Sequence, residues 1–333
     1  MKSLIFLFME FGLLMDPGIN IAVQNFSPAV TVFFTRGEFL DSMPWYFLII
    51  SIITFGLHPR YGVRLAALFG LNVGLNEAAK LACHMPRPYW VSAAVTAFSA
   101  HSSFGFPSGA AMSGAVMYGY IALQVRRYQI VIICCILFLV SSMVRIFSGI
   151  HFFTDILGGW ILGFLLLAVF LLAAPKAEEY VGQLSRPARL AFFVIVSAIP
   201  ILLVVPAYVS LGGWQVPAPW IELARQQTGA VIHPVRIQFA WGAAGIILGS
   251  LTGYEYLLSR GGWSPPADWK RRAGVVLAGT ISVLLLNAAI PSVWVFLGIT
   301  ALLPPLAVFL SMAGVTFWLV AGVPSLAAKA GYT

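Results

Sequence analysis

Three basic side chains and a histidine–aspartate pair supply the chemistry needed to hold and transfer a phosphate group. These residues are Lys80, Arg87, Arg145, His151 and Asp155. Arginine binds phosphate oxygens bidentately, and lysine adds a point charge. A carboxylate that holds one imidazole nitrogen leaves the other nitrogen as a nucleophile. Because His151 and Asp155 are four residues apart at a predicted helix start, we expect both side chains on one face of that helix.

A short Pro-Ser-Gly segment adds a second anion-binding element. Pro107-Ser108-Gly109 is predicted to open a helix, because proline is favoured in the first helical turn. The free N–H groups and the dipole at a helix start favour an anion. Each of these features alone has an ordinary structural explanation, such as a cap, a turn or an interfacial anchor. Their shared face, depth and chemistry favour one phosphate site.

The elements that carry these residues follow from the composition. Hydrophobic residues make up 60% of the 333 residues and charged residues 9%, whereas soluble domains carry about 25% charged residues. This excludes a soluble globule and a disordered chain, and it predicts an all-α, polytopic transmembrane helix bundle. A span needs about 20 apolar residues. We predict about nine spans, at residues 45–58, 62–82, 108–125, 129–148, 152–174, 188–211, 236–258, 273–290 and 293–321.

Three regions are expected along the chain. Residues 1–43 form an N-terminal extracytoplasmic or interfacial segment, 44–175 the membrane core that carries the phosphate-handling residues, and 176–333 additional C-terminal transmembrane helices. A kink or break is expected at Pro304-Pro305. Several glycine pairs with a spacing of four indicate close helix packing. These pairs are Gly70/Gly74, Gly159/Gly163, Gly245/Gly249 and Gly249/Gly253.

The distribution of basic residues predicts the orientation. Twelve of the 19 basic residues fall on one face, which the positive-inside rule makes cytoplasmic. They are Arg60, Arg64, Arg126, Arg127, Lys176, Arg186, Arg189, Arg260, Lys270, Arg271, Arg272 and Lys329. The loops 83–107, 149–151 and 212–235 then lie outside, with the phosphate-handling residues. We expect a bacterial inner-membrane protein with its site facing the periplasm and its C-terminus in the cytoplasm.

Two of these motifs resemble those of the type 2 phosphatidic acid phosphatase superfamily, which consists of integral membrane histidine phosphatases. The first family motif is a lysine, six residues and Arg-Pro, and it is matched by Lys80 and Arg87-Pro88. The second is Pro-Ser-Gly-His, matched by Pro107-Ser108-Gly109 and followed here by Ala110.

The third family motif completes the resemblance. It reads Ser-Arg, five residues, His, three residues and Asp. Arg145, His151 and Asp155 match it, with Val144 in place of the serine. Three motifs in this order are a specific signal, and they cover about residues 62–174.

The resemblance implies a role for each matched residue. His151 would be the nucleophile that forms a phosphohistidine, and Asp155 would orient it. The phosphate oxygens would be bound by Lys80, Arg87, Ser108, the Gly109 amide and Arg145. No cofactor is implied. No metal is implied either, because the cations are side chains and the sequence has no cluster of acidic ligands.

Position 110 departs from the family pattern. The family histidine there would protonate the leaving group, and Ala110 has no proton to give. Three explanations are open: an engineered substitution, a natural pseudoenzyme, or replacement by His84 or His101 from the same loop. We favour the engineered substitution, because a decaying site would lose more than one residue. The chain is then expected to bind its substrate but turn it over poorly.

A second resemblance concerns the substrate. Nine spans, an outer N-terminus and Arg87-Pro88-Tyr89-Trp90 look like the glucose-6-phosphatase branch of the superfamily, although Asp155 departs from it. A lipid phosphate is therefore the favoured substrate, and a sugar phosphate such as glucose 6-phosphate is the alternative.

The leading prediction is a membrane phosphatase that hydrolyses a phosphomonoester or diphosphate. The alternative is a non-catalytic phosphate-ligand-binding protein or transporter, for which Ala110 would be native. The expected partners are the phosphorylated lipid or sugar and membrane lipids, without nucleic acid; the oligomeric state is not predicted. Trp214 and Trp220, in the loop 212–235, form either a lid over the site or an interfacial aromatic belt.

Overall fold

The computed structural model describes residues 15–296 and 305–332. Within these ranges the chain forms helices and no strand, which confirms the predicted all-α fold. The chain also contains a 3-10 helix, Arg36–Asp41, and a π-helical turn, Trp318–Gly322. The α-helices are α1 Gly18–Phe26, α2 Pro28–Thr35, α3 Met43–Gly56, α4 Pro59–Cys83, α5 Pro88–Val91, α6 Gly109–Val125, α7 Tyr128–Phe147, α8 Phe153–Gln183, α9 Arg186–Ser210, α10 Ala218–Thr228, α11 Gln238–Ser259, α12 Trp269–Phe296, α13 Pro305–Phe317 and α14 Val323–Lys329.

A helix occupies the position of each predicted span, but not every helix is apolar enough to cross a membrane alone. By length and composition, five of the described segments pass this test, and α2 through the 3-10 helix joined to α3 is a sixth, bent by 62°. The five are Tyr128–Phe147, Phe153–Gln183, Arg186–Ser210, Trp269–Trp294 and Pro305–Lys329. Of the roughly nine predicted spans, five to six are therefore supported by the length and composition of the described helices. Helix α6 buries most of its residues in protein and α11 buries half of its residues, so contact with lipid does not determine their composition.

Several predicted ends are corrected by the structure. Helix α8 runs to Gln183, nine residues beyond the predicted span 152–174. Helix α12 continues through Pro291 to Phe296, so residues 293–296 belong to α12 rather than to the last predicted span, and the next described helix is α13. Pro304 and residues 1–14 of the predicted interfacial segment lie outside the described residues.

The chain divides into two compact units. The first unit contains residues up to Asp41, Leu75–Ala168 and Val204–Arg236, and it holds every predicted site residue. In this unit α8 lies directly against the start of α6. A Cβ atom at Gly159 would lie 2.7 Å from the Ser108 carbonyl oxygen, and one at Gly163 would lie 2.7 Å from that of Met112. This confirms the close packing predicted for the Gly159/Gly163 pair.

The second unit contains Ser42–Gly74, Val169–Leu203 and the residues from Ile237 onward. Here α11 packs against α13, and a Cβ at Gly245 or Gly249 would overlap the backbone of Phe309 or Ala313. Helix α4 also approaches α11 closely, because a Cβ at Gly70 would lie 2.9 Å from the Ala243 carbonyl oxygen. The small residues again permit close helix contact.

Candidate functional site

His151 is held between a carboxylate and a guanidinium. Its Nδ1 atom lies 3.1 Å from Asp155 Oδ2, and its Nε2 atom lies 3.2 Å from Arg87 Nη1. A guanidinium can only donate, so Nε2 accepts and carries a lone pair. Nδ1 then carries the hydrogen and donates to Asp155. This tautomer leaves Nε2 as the nucleophilic atom.

The local fold that brings His151 to Asp155 differs from the predicted helical face. Helix α8 begins at Phe153, so His151 lies in the preceding turn. The Asp155 carboxylate folds back and also accepts the Phe152 N–H at 2.9 Å. In the same turn, Gly149 has φ +71°, a left-handed conformation that favours glycine. The His151 N–H donates to the Arg145 carbonyl at 3.3 Å, so this turn holds the two residues together.

Lys80 and Arg87 converge on one stretch of the loop before α6. Lys80 Nζ donates to the Phe104 carbonyl at 2.6 Å. Arg87 donates to the same carbonyl at 3.2 Å and to the Ser103 carbonyl at 2.7 Å. Both cations are at most 5% exposed, and their partners here are neutral oxygens. Their positive charge therefore remains available to an anion.

Arg145 is positioned by the N-terminal segment. Its Nη2 atom donates to the Glu38 carbonyl at 3.1 Å, and its Nη1 atom lies 3.8 Å from Asp41 Oδ2. Its Nε atom is buried and has no hydrogen-bond partner among the described residues. The motif pattern did not indicate Glu38 or Asp41, because neither belongs to a motif.

The start of α6 is built around Ser108. Ser108 is the N-cap residue, and its hydroxyl accepts from the Ala111 N–H at 3.4 Å, so Pro107 precedes the helix rather than lying in its first turn. The Ser108 N–H donates to the Asp155 carbonyl at 2.9 Å. This bond ties the start of α6 to α8, the helix that carries Asp155. Gly109 and Ala110 follow as the first helical residues, and Ala110 is buried.

The imidazoles in the site are neutral. Burial lowers the pKa of His151 well below its usual range, and the charges of Arg87, Lys80 and Arg145 lower this pKa further. Burial and the same cations lower the pKa of His101 to about 2. Neutral His151 is competent as a nucleophile. Neutral His101 is a poor general acid, which argues against it as the replacement for position 110.

His84 is the other loop histidine considered as a replacement. Its ring packs edge-on against Trp214, with centroids 5.6 Å apart, and against Phe104, at 6.3 Å. Within the part of the chain that the structure describes, its Nδ1 atom is buried without a hydrogen-bond partner, and its φ of +39° is uncommon for histidine. Its described ring contacts are with aromatic residues rather than with the phosphate-handling cations.

Helix α1 clamps the turn that carries His151. The Asn20 amide donates to the carbonyls of Ile146 and His151, both at 3.0 Å, and Asn20 is fully buried. Gln24 donates to the Phe147 carbonyl at 2.9 Å. The sequence did not indicate a role for these two residues, because an isolated asparagine or glutamine in an apolar segment belongs to no motif.

The segment between α9 and α11 covers the site loop. Trp220 lies 6.1 Å from Trp90 and Trp214 lies 5.4 Å from Phe104, measured between ring centroids. Gln227 accepts the Ala97 N–H at 3.0 Å and donates to the Ser92 carbonyl at 3.3 Å. The two tryptophans therefore pack against aromatic residues of the segment 83–107.

Comparison with known proteins gives one family and one curated relative. The PAP2 superfamily matches residues 61–179. Phosphatidylglycerophosphatase B of Bacillus subtilis (strain 168) is 32% identical over 114 residues, which cover 32% of this chain and 54% of that protein. The match thus spans about half the length of the relative. No solved structure matches the chain significantly.

Proposed function

Because residues 61–179 belong to the PAP2 superfamily, we propose that the chain is a multi-pass membrane phosphatase that uses His151 as its nucleophile. The observation that carries the proposal is the contact of His151 with Asp155 at Nδ1 and with Arg87 at Nε2. This arrangement fixes the tautomer and places a cation beside the attacking atom. A phosphate bound at Arg87 therefore meets the nucleophile directly.

The proposed reaction has two steps. In the first, His151 Nε2 attacks phosphorus, the bond to the leaving oxygen breaks, and the phosphoryl group becomes attached to His151. Asp155 holds Nδ1–H, while Lys80, Arg87 and Arg145 stabilise the charge on the phosphoryl oxygens. In the second step water attacks phosphorus, the P–N bond breaks, and inorganic phosphate leaves.

Position 110 limits the first step. An alkoxide leaving group needs a proton, and Ala110 supplies none. We take Ala110 as a substitution in an otherwise intact site, so the present chain binds substrate and turns it over slowly. Ala110 is also the observation that favours the second candidate function, a phosphate-ligand-binding protein or transporter.

A lipid phosphate is the proposed substrate class. The name of the Bacillus subtilis relative, phosphatidylglycerophosphatase B, supports a phosphorylated lipid over a sugar phosphate. The bias of basic residues supports a site that faces the periplasm of a bacterial inner membrane. Glucose 6-phosphate remains the competing substrate in the test.

The test compares the present chain with Ala110→His and with His151→Ala. We expect Ala110→His to raise phosphate release from phosphatidic acid by about 10²–10⁴-fold. The gain should be smaller on para-nitrophenyl phosphate, whose leaving group needs no proton. His151→Ala should be inactive on both. An inactive Ala110→His protein that still binds phosphate would favour the binding protein, and higher activity on glucose 6-phosphate than on phosphatidic acid would overturn the substrate class.

A further inference from the structure

A cleft in the second unit shares no residue with the phosphate site. It has a volume of about 620 Å³ and lies among α4, α8, α9 and α11. This volume is within the usual range for small-ligand pockets, about 300–1,000 Å³. Its apolar wall includes Leu71, Phe170, Phe193, Val196, Ile247 and Leu251. The wall suits an alkyl chain.

The polar lining of the cleft lies where these four helices begin or end. Arg60 and Arg64 are in the first two turns of α4, and Arg189 is in the first turn of α9. Glu178 and Glu255 are close to the ends of α8 and α11. Helix ends lie at the level of lipid headgroups. The cleft therefore has a charged rim at headgroup level and an apolar interior.

The rim carries both signs of charge. Arg64 Nη2 donates to Glu178 Oε2 at 2.7 Å, and Arg60 Nε donates to the same oxygen at 3.0 Å. Arg189 Nη1 lies 3.3 Å from Glu255 Oε1. With Glu179, the lining contains three arginines and three glutamates. Such a rim complements a headgroup that carries a phosphate and an amine, and it offers no net attraction to an anion.

We propose that this cleft binds one phospholipid with a zwitterionic headgroup. An acyl chain lies along the apolar wall, the lipid phosphate meets the arginines, and the lipid amine meets the glutamates. The ligand is a phosphodiester rather than a phosphomonoester, so it is not the substrate proposed for His151. The proposal goes beyond the phosphatase function and does not depend on it.

Two alanine-to-tryptophan variants test the apolar part of the cleft. Ala174 lines it, whereas the neighbouring Ala173 is exposed and does not. The full chain is purified in detergent, stripped of lipid, and mixed with palmitoyl-oleoyl phosphatidylethanolamine or with the phosphatidylglycerol of the same chains. Native mass spectrometry then counts the lipids retained after washing. We expect about one phosphatidylethanolamine on the parent and on Ala173→Trp, and at least about a tenfold loss on Ala174→Trp.

A charge variant tests the rim and keeps the proposal decidable if Ala174→Trp fails to fold. Glu255→Gln leaves Arg189 without its carboxylate partner, so retention should shift toward phosphatidylglycerol. Equal retention of phosphatidylethanolamine by both tryptophan variants would overturn the proposal. So would a parent that prefers phosphatidylglycerol, or an unchanged preference in Glu255→Gln.

Discussion

Arg87 in the first unit and two arginines of the cleft in the second unit are held by different kinds of partner. In the first unit, Arg87 contacts neutral carbonyl oxygens of Ser103, Phe104 and Ile150, at 2.7, 3.2 and 2.8 Å. In the second unit, Arg60 and Arg64 share the carboxylate of Glu178. Carbonyl partners satisfy the N–H groups without cancelling the charge, whereas a carboxylate cancels it. Arg87 is thus prepared for an anion, whereas Arg60 and Arg64 are balanced by Glu178.

This difference shows why a count of arginines is a poor guide to anion binding. The sequence places basic residues in both units, and residue type alone does not distinguish them. The partner of each guanidinium decides what it can bind, because a buried charge interacts strongly with whatever lies beside it.

Formation of a phosphohistidine should require His151 of the first unit and no histidine of the second. In the Ala110→His background, His151→Ala should abolish phosphate release and the acid-labile phosphorylated protein, because no covalent step remains. His58→Ala, in the loop before α4, is the matched control and should change neither. The measurement is phosphate release together with labelling by a radioactive substrate. Labelling that survives His151→Ala would place the nucleophile elsewhere.

Phosphate affinity should depend on Arg87 and not on Arg60. Charge-assisted hydrogen bonds contribute about 1.5–3 kcal/mol, so Arg87→Met should weaken binding of inorganic phosphate by about 10–100-fold. Arg60→Met should change it by less than about twofold, because Glu178 already neutralises Arg60. Isothermal titration calorimetry of the purified chain measures both. Similar losses of phosphate affinity in the two variants would show that Arg87 and Arg60 do not differ in anion binding.

The α1 clamp should affect rate more than binding. Asn20→Ala removes two buried hydrogen bonds that hold the His151 turn, and we expect kcat to fall about tenfold with little change in KM. Asn25→Ala is the matched control, since Asn25 is exposed on the same helix. Steady-state kinetics in the Ala110→His background separate the two constants. A rise in KM at constant kcat would assign Asn20 to substrate binding instead.

The smallest expected effect concerns pH. The charge of Arg145 helps to lower the pKa of His151, so Arg145→Gln should raise that pKa. The acid limb of kcat against pH should then move to higher pH, because His151 must be neutral to attack phosphorus. Neutral His151 also binds fewer protons than its unfolded form below about pH 6.5, so His151 contributes a loss of stability as pH falls. An acid limb that stays in place in Arg145→Gln would show that another group controls it.

The sequence was sufficient for the motif residues because their spacing is local and their chemistry is specific. Lys80 and Arg87 lie in one helix–loop segment, and His151 and Asp155 in one turn. It was insufficient for Asn20, whose partners are 126 and 131 residues away. A single buried amide side chain such as that of Asn20 produces no periodic pattern in the sequence. The apolar segments of the sequence likewise identified the helices, but composition alone does not indicate how much of α6 and α11 is shielded from lipid by other helices.

The Gln227 contacts with Ser92 and Ala97 have a consequence for biosynthesis. All the motif residues have been synthesised once the chain reaches Asp155, yet the segment that covers Trp90 and the site loop is synthesised about 60 to 70 residues later. During membrane insertion the nascent chain therefore passes through a stage with a complete set of motif residues and an uncovered loop. Completion of the site depends on α10 reaching the face that α5 presents to it.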